Sequence, residues 1–381
     1  MKKITDFVFK DKKVILRLDL NVPIKDGEIL SKEKINSSLK TINYISNSGG
    51  RVIILSHLGK IKEEKDKEKN SLFIVYKEML KEFNNIYFSS ATHGTVLEEK
   101  INNLNDGDIL LVENTRFEDL DNKKESNCDE ELSKYWASLG NIFINDAFGM
   151  THRKHASNYG IAKYLPSGIG FLIEKEIKGL EPVINPIHPF VIIMGGAKVN
   201  DKLDIIKGLL PKCDYLLVGG GIANSFLACN NNVGKSLIDE DKIEELKNLL
   251  SEYKEKIIIP MDVVIEENDN VRNSKIDNLT NDSIIYDIGT ETINNYAKYI
   301  NDAKTIFLNG TMGLYEDDKY SVGTKEILNL VSKSSAVKIA GGGDALASIE
   351  KFNIKGFDYK STGGGATLEY IKSGKLKCFE K

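Results

Sequence analysis

At 381 residues the chain is longer than one hydrophobic core normally organises, so two domains of roughly 180 residues each are expected. Its 52 Lys and Arg and 56 Asp and Glu are mixed along the chain and leave a net charge of −4, which argues against a dedicated nucleic-acid or membrane-surface binder. There is no run of 18 apolar residues, and Cys128, Cys213, Cys229 and Cys378 lack Cys-x-x-Cys spacing, so no membrane span, zinc site or disulfide framework is indicated and a cytosolic protein is expected.

Short apolar runs at 14–18, 52–55, 109–112 and 142–144, then at 191–194, 215–218, 257–259, 305–308 and 337–340, read as buried parallel strands. Helical spacing between them predicts helices at 71–83, 239–253 and 323–333, the last two with Glu early and Lys late as the helix dipole favours. Both halves therefore read as doubly wound α/β units. Residues 171–181 also have helical spacing and lead into Pro182, Pro186 and Pro189, so 171–189 reads as a connecting helix, ended by proline, and a hinge.

In the second half, strand-like runs stop at glycines: Gly195-Gly196-Ala197-Lys198, Gly219 to Gly221, Gly341 to Gly343 and Gly363 to Gly365. Such turns let a ligand approach the backbone, and where they open a helix the free N–H groups and the dipole make an anion site. Lys198 and Lys202, four apart, are expected on one face of a helix N-terminus, reaching a transferring phosphoryl group. Asp344 suits a Mg²⁺–nucleotide complex, since Mg²⁺ commonly takes one carboxylate plus substrate phosphates. The only Gly-Lys-Ser, at 234–236, follows Asn230 to Asn232 instead of a strand, and Gly219-x-Gly221 has Asn224 where a third glycine belongs, so a Walker loop and a dinucleotide fingerprint both lack support.

In the first half the strands end instead in Arg17-Leu18-Asp19-Leu20-Asn21, Ser56-His57-Leu58-Gly59-Lys60 and Glu113-Asn114-Thr115-Arg116, with His152-Arg153 beyond the fourth. Ligands of open α/β sheets sit at carboxyl ends of strands, so these side chains predict a basic crevice for a small, multiply anionic metabolite. One half-site of basic side chains and one of backbone glycines point to two ligands and to phosphoryl transfer.

With these residues in view, the chain resembles the phosphoglycerate kinase family nearly end to end. The segments that carry the likeness are Arg17-Leu18-Asp19-Leu20-Asn21-Val22-Pro23, Ser56-His57-Leu58-Gly59, Glu113-Asn114-Thr115-Arg116-Phe117, Asn145-Asp146-Ala147-Phe148-Gly149 with His152-Arg153, Gly195-Gly196-Ala197-Lys198-Val199, Asn309-Gly310, Gly341 to Asp344, and Ser361-Thr362-Gly363-Gly364-Gly365. The resemblance implies two Rossmann-like doubly wound parallel-sheet domains joined by a hinge helix. Residues 1–170 would bind 3-phosphoglycerate or 1,3-bisphosphoglycerate, residues 190–362 would bind MgADP or MgATP, and 363–381 would return to the first domain of a monomer.

It further implies an acid-substrate site of Asp19, Leu20, Asn21, Lys34, His57, Leu58, Gly59, Lys60, Arg116, His152 and Arg153. The nucleotide would fall to Gly196, Ala197, Lys198, Lys202, Gly220, Gly289, Asn309, Glu316, Gly341, Gly342, Gly343 and Asp344, with Mg²⁺ on Asp344. Lys34, Lys198, Lys202, Gly342 and Gly365 would be catalytic. Lys34 and Lys60 stand where the family has arginine, Thr290 and Thr311 where it usually has proline, and Leu308 where it often has tryptophan. Two rival readings are an NAD-dependent oxidoreductase, which the missing third glycine disfavours, and a catalytically idle homologue that serves as a binding protein.

Overall fold

In the computed structural model, which describes residues 1–380, the chain divides into two compact units. One is Met1–Ile177 with the chain from Lys375 onward, and the other is Lys178–Gly374. The first runs β1 (Lys2–Lys3), β2 (Lys13–Arg17), a small hairpin of β3 (Ile24–Lys25) and β4 (Glu28–Ile29), α1 (Glu33–Asn47), β5 (Arg51–Leu55), α2 (Asp66–Lys69), α3 (Phe73–Met79), β6 (Ile86–Ser89), α4 (Thr95–Asn102), β7 (Ile109–Val112), α5 (Glu130–Ser138), β8 (Ile142–Asn145) and β9 (Ser167–Ile169). Seven of these strands make one parallel sheet, β1-β9-β8-β2-β5-β7-β6.

The near-continuous apolar strands are needed because helices cover both faces. Alternate residues Leu16, Ile54, Leu111 and Ile144 pack with Ile42 and Ile45 of α1, while Ile15, Ile53, Leu110 and Phe143 pack with Leu97 of α4 and Trp136 of α5. The chain leaves β2 toward β5 but leaves β8 toward β9, on the other side. That reversal opens a crevice at the carboxyl ends of β2 and β8.

α6 (Phe171–Ile184) runs from the first unit into the second. Proline does not end it where the sequence suggested: Pro182 lies inside the helix, and Asn185 N still donates to the Glu181 carbonyl at 2.9 Å. A proline so near a helix end removes one bond, and the stop falls before Pro186, which disfavours helical backbone at the preceding residue.

The second unit runs β10 (Phe190–Met194), α7 (Leu203–Leu209), β11 (Tyr215–Val218), α8 (Gly220–Leu227), α9 (Ile243–Glu252), β12 (Ile257–Ile258), β13 (Asp262–Glu267), β14 (Asn270–Lys275), β15 (Ile284–Ile288), α10 (Thr290–Asp302), β16 (Thr305–Asn309), α11 (Val322–Lys333), β17 (Val337–Gly341), α12 (Gly343–Lys351), β18 (Tyr359–Ser361) and α13 (Gly365–Ser373). Its parallel sheet is ordered β12-β11-β10-β16-β17-β18. Numbered along the chain this is the 3-2-1-4-5-6 doubly wound order, with its switch point between β10 and β16.

A separate antiparallel sheet, β14-β13-β15, was not among the expected elements. Nearly all of β14 is exposed, so it carries no apolar signal, and its link to β13 is the two-residue Asn268-Asp269 turn with φ of +49° and +62°. The returning segment is also shorter than the expected 363–381. α13 packs against α7, buries Ile371, and has its C-terminal carbonyls at Ile371 and Lys372 capped by Lys212 Nζ at 3.2 and 3.0 Å, which keeps 363–374 in the second unit. From Lys375 the chain joins the first unit, where Cys378 N donates to the Thr151 carbonyl at 3.0 Å.

Candidate functional site

In the first unit, β2 ends at the fully buried Arg17. Its Nε donates to Ser157 Oγ at 2.8 Å, Ser157 donates to the buried Glu125 at 2.5 Å, and its Nη2 lies 3.3 Å from His57 Nδ1. Burial first, then the charges of Arg17, Arg116 and Lys34, hold the His57 pKa well below its usual value, so the ring is neutral near pH 7. A guanidinium can only donate, so Nδ1 accepts and the ring proton sits on Nε2 as a donor. Burial pushes His155 down to about 3, helped by Arg17, Arg116, Arg153 and His152. In both rings burial is the larger cause, and the neighbouring cations add to it.

Arg116 is 8% exposed; Asn114 fixes its backbone by accepting from Arg116 N at 3.0 Å. Its Nη1 reaches Asp119 and Ser126 only at 3.4 Å, and its Nε has no hydrogen-bond partner. A buried guanidinium so poorly matched is prepared for an anion. The loops after β2, β5 and β7 are tied together: Gly59 N donates to Asn21 Oδ1 at 2.8 Å, Leu20 N donates to Ser56 Oγ at 2.9 Å, and Asn114 Nδ2, beyond β7, donates to the Leu58 carbonyl at 2.7 Å. Leu20 and Leu58 are buried, so their side chains anchor these loops. Lys34 from α1 pairs with Asp19 at 2.9 Å, Lys60 is exposed, and Arg153 Nε donates to His152 Nε2 at 3.2 Å.

In the second unit the two lysines do not share a helix face. α7 begins only at Leu203, with Lys202 as its N-cap, and residues 195–202 form a loop pinned by the buried Val199. Lys202 Nζ donates to the Gly195 carbonyl at 2.6 Å and lies 3.5 Å from the Asn309 carbonyl, directly at the switch point, while Lys198 is exposed. Burial lowers the Lys202 pKa to about 8, against the opposing pull of Asp344 and Asp201. Asn309 donates to the Gly341 carbonyl at 2.7 Å, which leaves its Oδ1 buried without a donor.

Three of the four glycine turns open helices, at Gly220, Gly343 and Gly365, whereas Gly195-Gly196 enters the loop. Gly221 packs so closely that an added Cβ would stand 1.9 Å from the Ala197 carbonyl oxygen, yet nothing lies within 4 Å of one at Gly343. The first is backbone contact and the second is open ground over a helix N-terminus, as phosphates require.

Beside this lies a cavity of about 250 Å³. Gly196, Ala197, Gly220, Glu316 and Asp344, all named from the sequence, line it. Lys198, Lys202, Gly289, Asn309 and Gly341 to Gly343 do not; Gly289 caps α10 against the Asp262 carboxylate, and the wall there is Tyr286, Asp287 and Ile288. Sequence reading missed the apolar wall of Leu237, Pro260, Val263, Ile284 and Ile285, which the unanticipated antiparallel sheet largely supplies, and the run Thr311 to Leu314 after β16. Among the described residues no three His, Cys, Asp or Glu side chains group as a metal site. The exposed Asp344 carboxylate at the start of α12 therefore suits a cation that arrives already on phosphates.

The model of a family described as "Phosphoglycerate kinase" matches residues 4–375. A phosphoglycerate kinase of Lacticaseibacillus casei (strain BL23) is 45% identical over 384 residues, covering 98% of this chain and 96% of its own. One from Listeria welshimeri is also 45% identical, covering 98% and 97%. Among solved structures, phosphoglycerate kinase from Coxiella burnetii superposes with a TM-score of 0.88 at 34% identity, over 99% of this chain and 97% of that one. The enzyme from Pyrococcus horikoshii OT3 gives 0.82 at 31%, with the same coverage. The chain belongs to the phosphoglycerate kinase family, whose members are phosphotransferases with a carboxyl group as acceptor.

Proposed function

We propose that the first unit's cationic crevice binds 3-phosphoglycerate or 1,3-bisphosphoglycerate, that the second unit's cavity binds MgADP or MgATP, and that a phosphoryl group passes between them in glycolysis. The observation that carries this reading is Lys202, an ammonium placed on the carbonyl ends of β10 and β16 where a doubly wound sheet receives its ligand.

In the direction of ATP formation the acyl-phosphate P–O bond breaks, a new bond forms to the ADP β-phosphate oxygen, and the leaving group is a carboxylate already stable as an anion. No general base is needed, so catalysis rests on positioning and charge neutralisation. Arg116, Arg153, Lys34, and the Nε2–H of neutral His57 hold the acid's phosphate and carboxylate, with His152, Asp19, Asn21 and the loop at Gly59 and Lys60 completing that side. Lys202 follows the phosphoryl group, drawn off the Gly195 carbonyl by its charge. Lys198 and the amides at Gly342 and Gly343 hold the nucleotide phosphates, Asp344 holds their Mg²⁺, Glu316 the ribose, and Gly365 opens a further amide cradle. Because the ligands belong to separate units, transfer proceeds through closure about α6, which also excludes water. The active form is a cytoplasmic monomer.

A coupled assay for ATP-dependent consumption of 3-phosphoglycerate tests the whole reading. Turnover is expected, together with a smaller radius of gyration when both ligands are bound than with either alone. Binding of both ligands without turnover would identify the idle homologue instead.

A further inference from the structure

Glu125 is a fully buried carboxyl group, on the turns between β7 and α5, that the phosphoryl transfer itself does not use. Both of its oxygens are committed to one residue: Ser157 Oγ donates to Oε1 at 2.5 Å and Ser157 N donates to Oε2 at 2.9 Å. The backbone repeats the tie, since Ala156 N donates to the Glu125 carbonyl at 2.9 Å. His155 Nδ1 lies 3.8 Å from Oε1, beyond hydrogen-bond reach.

The hydroxyl between Glu125 and Arg17 has a forced direction. Arg17 Nε can only donate, so Ser157 Oγ accepts from it at 2.8 Å and sends its own proton to Glu125. Arg17 Nη1 donates to the Leu18 carbonyl. A guanidinium is planar, so these two bonds fix the whole fork, and its remaining edge, Nη2, comes to 3.3 Å from His57 Nδ1. Burial works against the charge of Arg17, and Glu125 is the largest of the charges that hold it. A carboxylate paired directly with the fork would occupy two of its donors. The interposed hydroxyl brings the counter-charge close and leaves Nη2 for the imidazole.

We propose that Glu125 and Ser157 are positioning residues for the acid substrate: through Arg17 they keep His57 in the Nε2–H tautomer, so that the ring presents a donor to the substrate anion. Both side chains are fully buried, so they act through Arg17 and not on the ligand. The inference rests on the proposed function for the identity of that anion, whereas the tautomer belongs to the free protein.

Charge and position predict opposite results for Glu125→Gln. The substitution keeps the volume and removes a negative charge near an anion site, which by charge alone would tighten the acid substrate. It also leaves one acceptor oxygen for the two donors of Ser157, which releases the fork. In the full-length protein KM for 3-phosphoglycerate is therefore expected to rise about tenfold, with KM for MgATP within about twofold of wild type. A lower or unchanged KM for 3-phosphoglycerate would overturn the proposal.

The second readout is the ¹⁵N NMR spectrum of labelled histidine in the free protein, with His57 identified by the resonances missing from His57→Gln. Wild type is expected to hold the Nε2–H tautomer alone, and Glu125→Gln and Ser157→Ala to show a mixture of both. A wild-type His57 with its proton on Nδ1 would overturn the assignment without any variant, as would a single unchanged tautomer in folded Ser157→Ala. Variants that mix the tautomers of a wild type with no affinity for 3-phosphoglycerate would support the positioning pair and overturn the proposed substrate.

Discussion

Asp146 Oδ1 accepts a hydrogen bond from Ile173 N at 3.0 Å, so a carboxyl group just beyond β8 closes the first turn of the connecting helix α6. Thr41 Oγ1 donates to the other oxygen at 2.5 Å, and Asp146 N is held by the Arg17 carbonyl at 2.8 Å. The strand that feeds the acid crevice thus also anchors the root of the helix that leaves it.

Burial raises the Asp146 pKa to about 6, more than the bonds from Thr41, Ile173 and Leu172 pull it down. The folded state therefore binds more protons than the unfolded one between about pH 4 and pH 6. Stability from this group is present at low pH and is lost as pH rises through about 6. Asp146→Asn, which keeps the acceptor for Ile173, is expected to gain Tm relative to wild type at pH 8 compared with pH 5. Parallel thermal melts that keep a constant difference across that range would discount the linkage.

A different pH limb belongs to Lys202. With a pKa near 8 in the free protein, it is charged at pH 7 and loses its proton through the alkaline range, so kcat/KM for MgADP is expected to fall above about pH 8. Bound phosphates favour the charged form, so the limb in kcat should lie higher. Lys202→Ala is expected to lower kcat by roughly 10² to 10³, the usual cost of losing one preorganised donor to the transition state. A variant with near wild-type kcat would take Lys202 out of the mechanism.

The sequence disclosed what depends on repetition or chemical type. Runs such as Ile109–Val112 and Phe190–Met194 are buried along their whole length, and that doubly covered burial is what made them legible as strands. Strand-end side chains such as Arg116 and His57 were legible because strand ends are where α/β sheets meet ligands. The apolar wall from Val263 and Ile285 was not, because a strand such as β14, exposed almost throughout, leaves no periodic trace. Nor did spacing of four between Lys198 and Lys202 reveal that the helix waits until Leu203, since Val199 is spent on holding the loop down.

Lys34 offers a test of a substitution against its setting. Its ammonium sits 2.9 Å from Asp19 with two-fifths of the side chain exposed, so there is room for a longer, forked head. Lys34→Arg is expected to leave the melting temperature unchanged and to lower KM for 3-phosphoglycerate, because a guanidinium can engage both Asp19 and a substrate oxygen. An unchanged or higher KM would mean that the lysine is matched to its pocket.

The glycines at the two helix starts separate ligand space from packing space. At Gly343 an added methyl meets nothing, and as the first residue of α12 it sits in ordinary helical backbone, so Gly343→Ala should restrict the unfolded chain and leave the protein as stable or about 0.5 kcal/mol more so. The same methyl stands over the α12 N-terminus, on the ground proposed for phosphates, so KM for MgADP should rise severalfold while the acid substrate is bound as before. Gly221→Ala puts its methyl against the Ala197 carbonyl and should lower Tm together with nucleotide affinity. Binding titrations beside thermal melts distinguish the two, and a Gly343→Ala protein that binds MgADP like wild type would move the phosphates away from this helix.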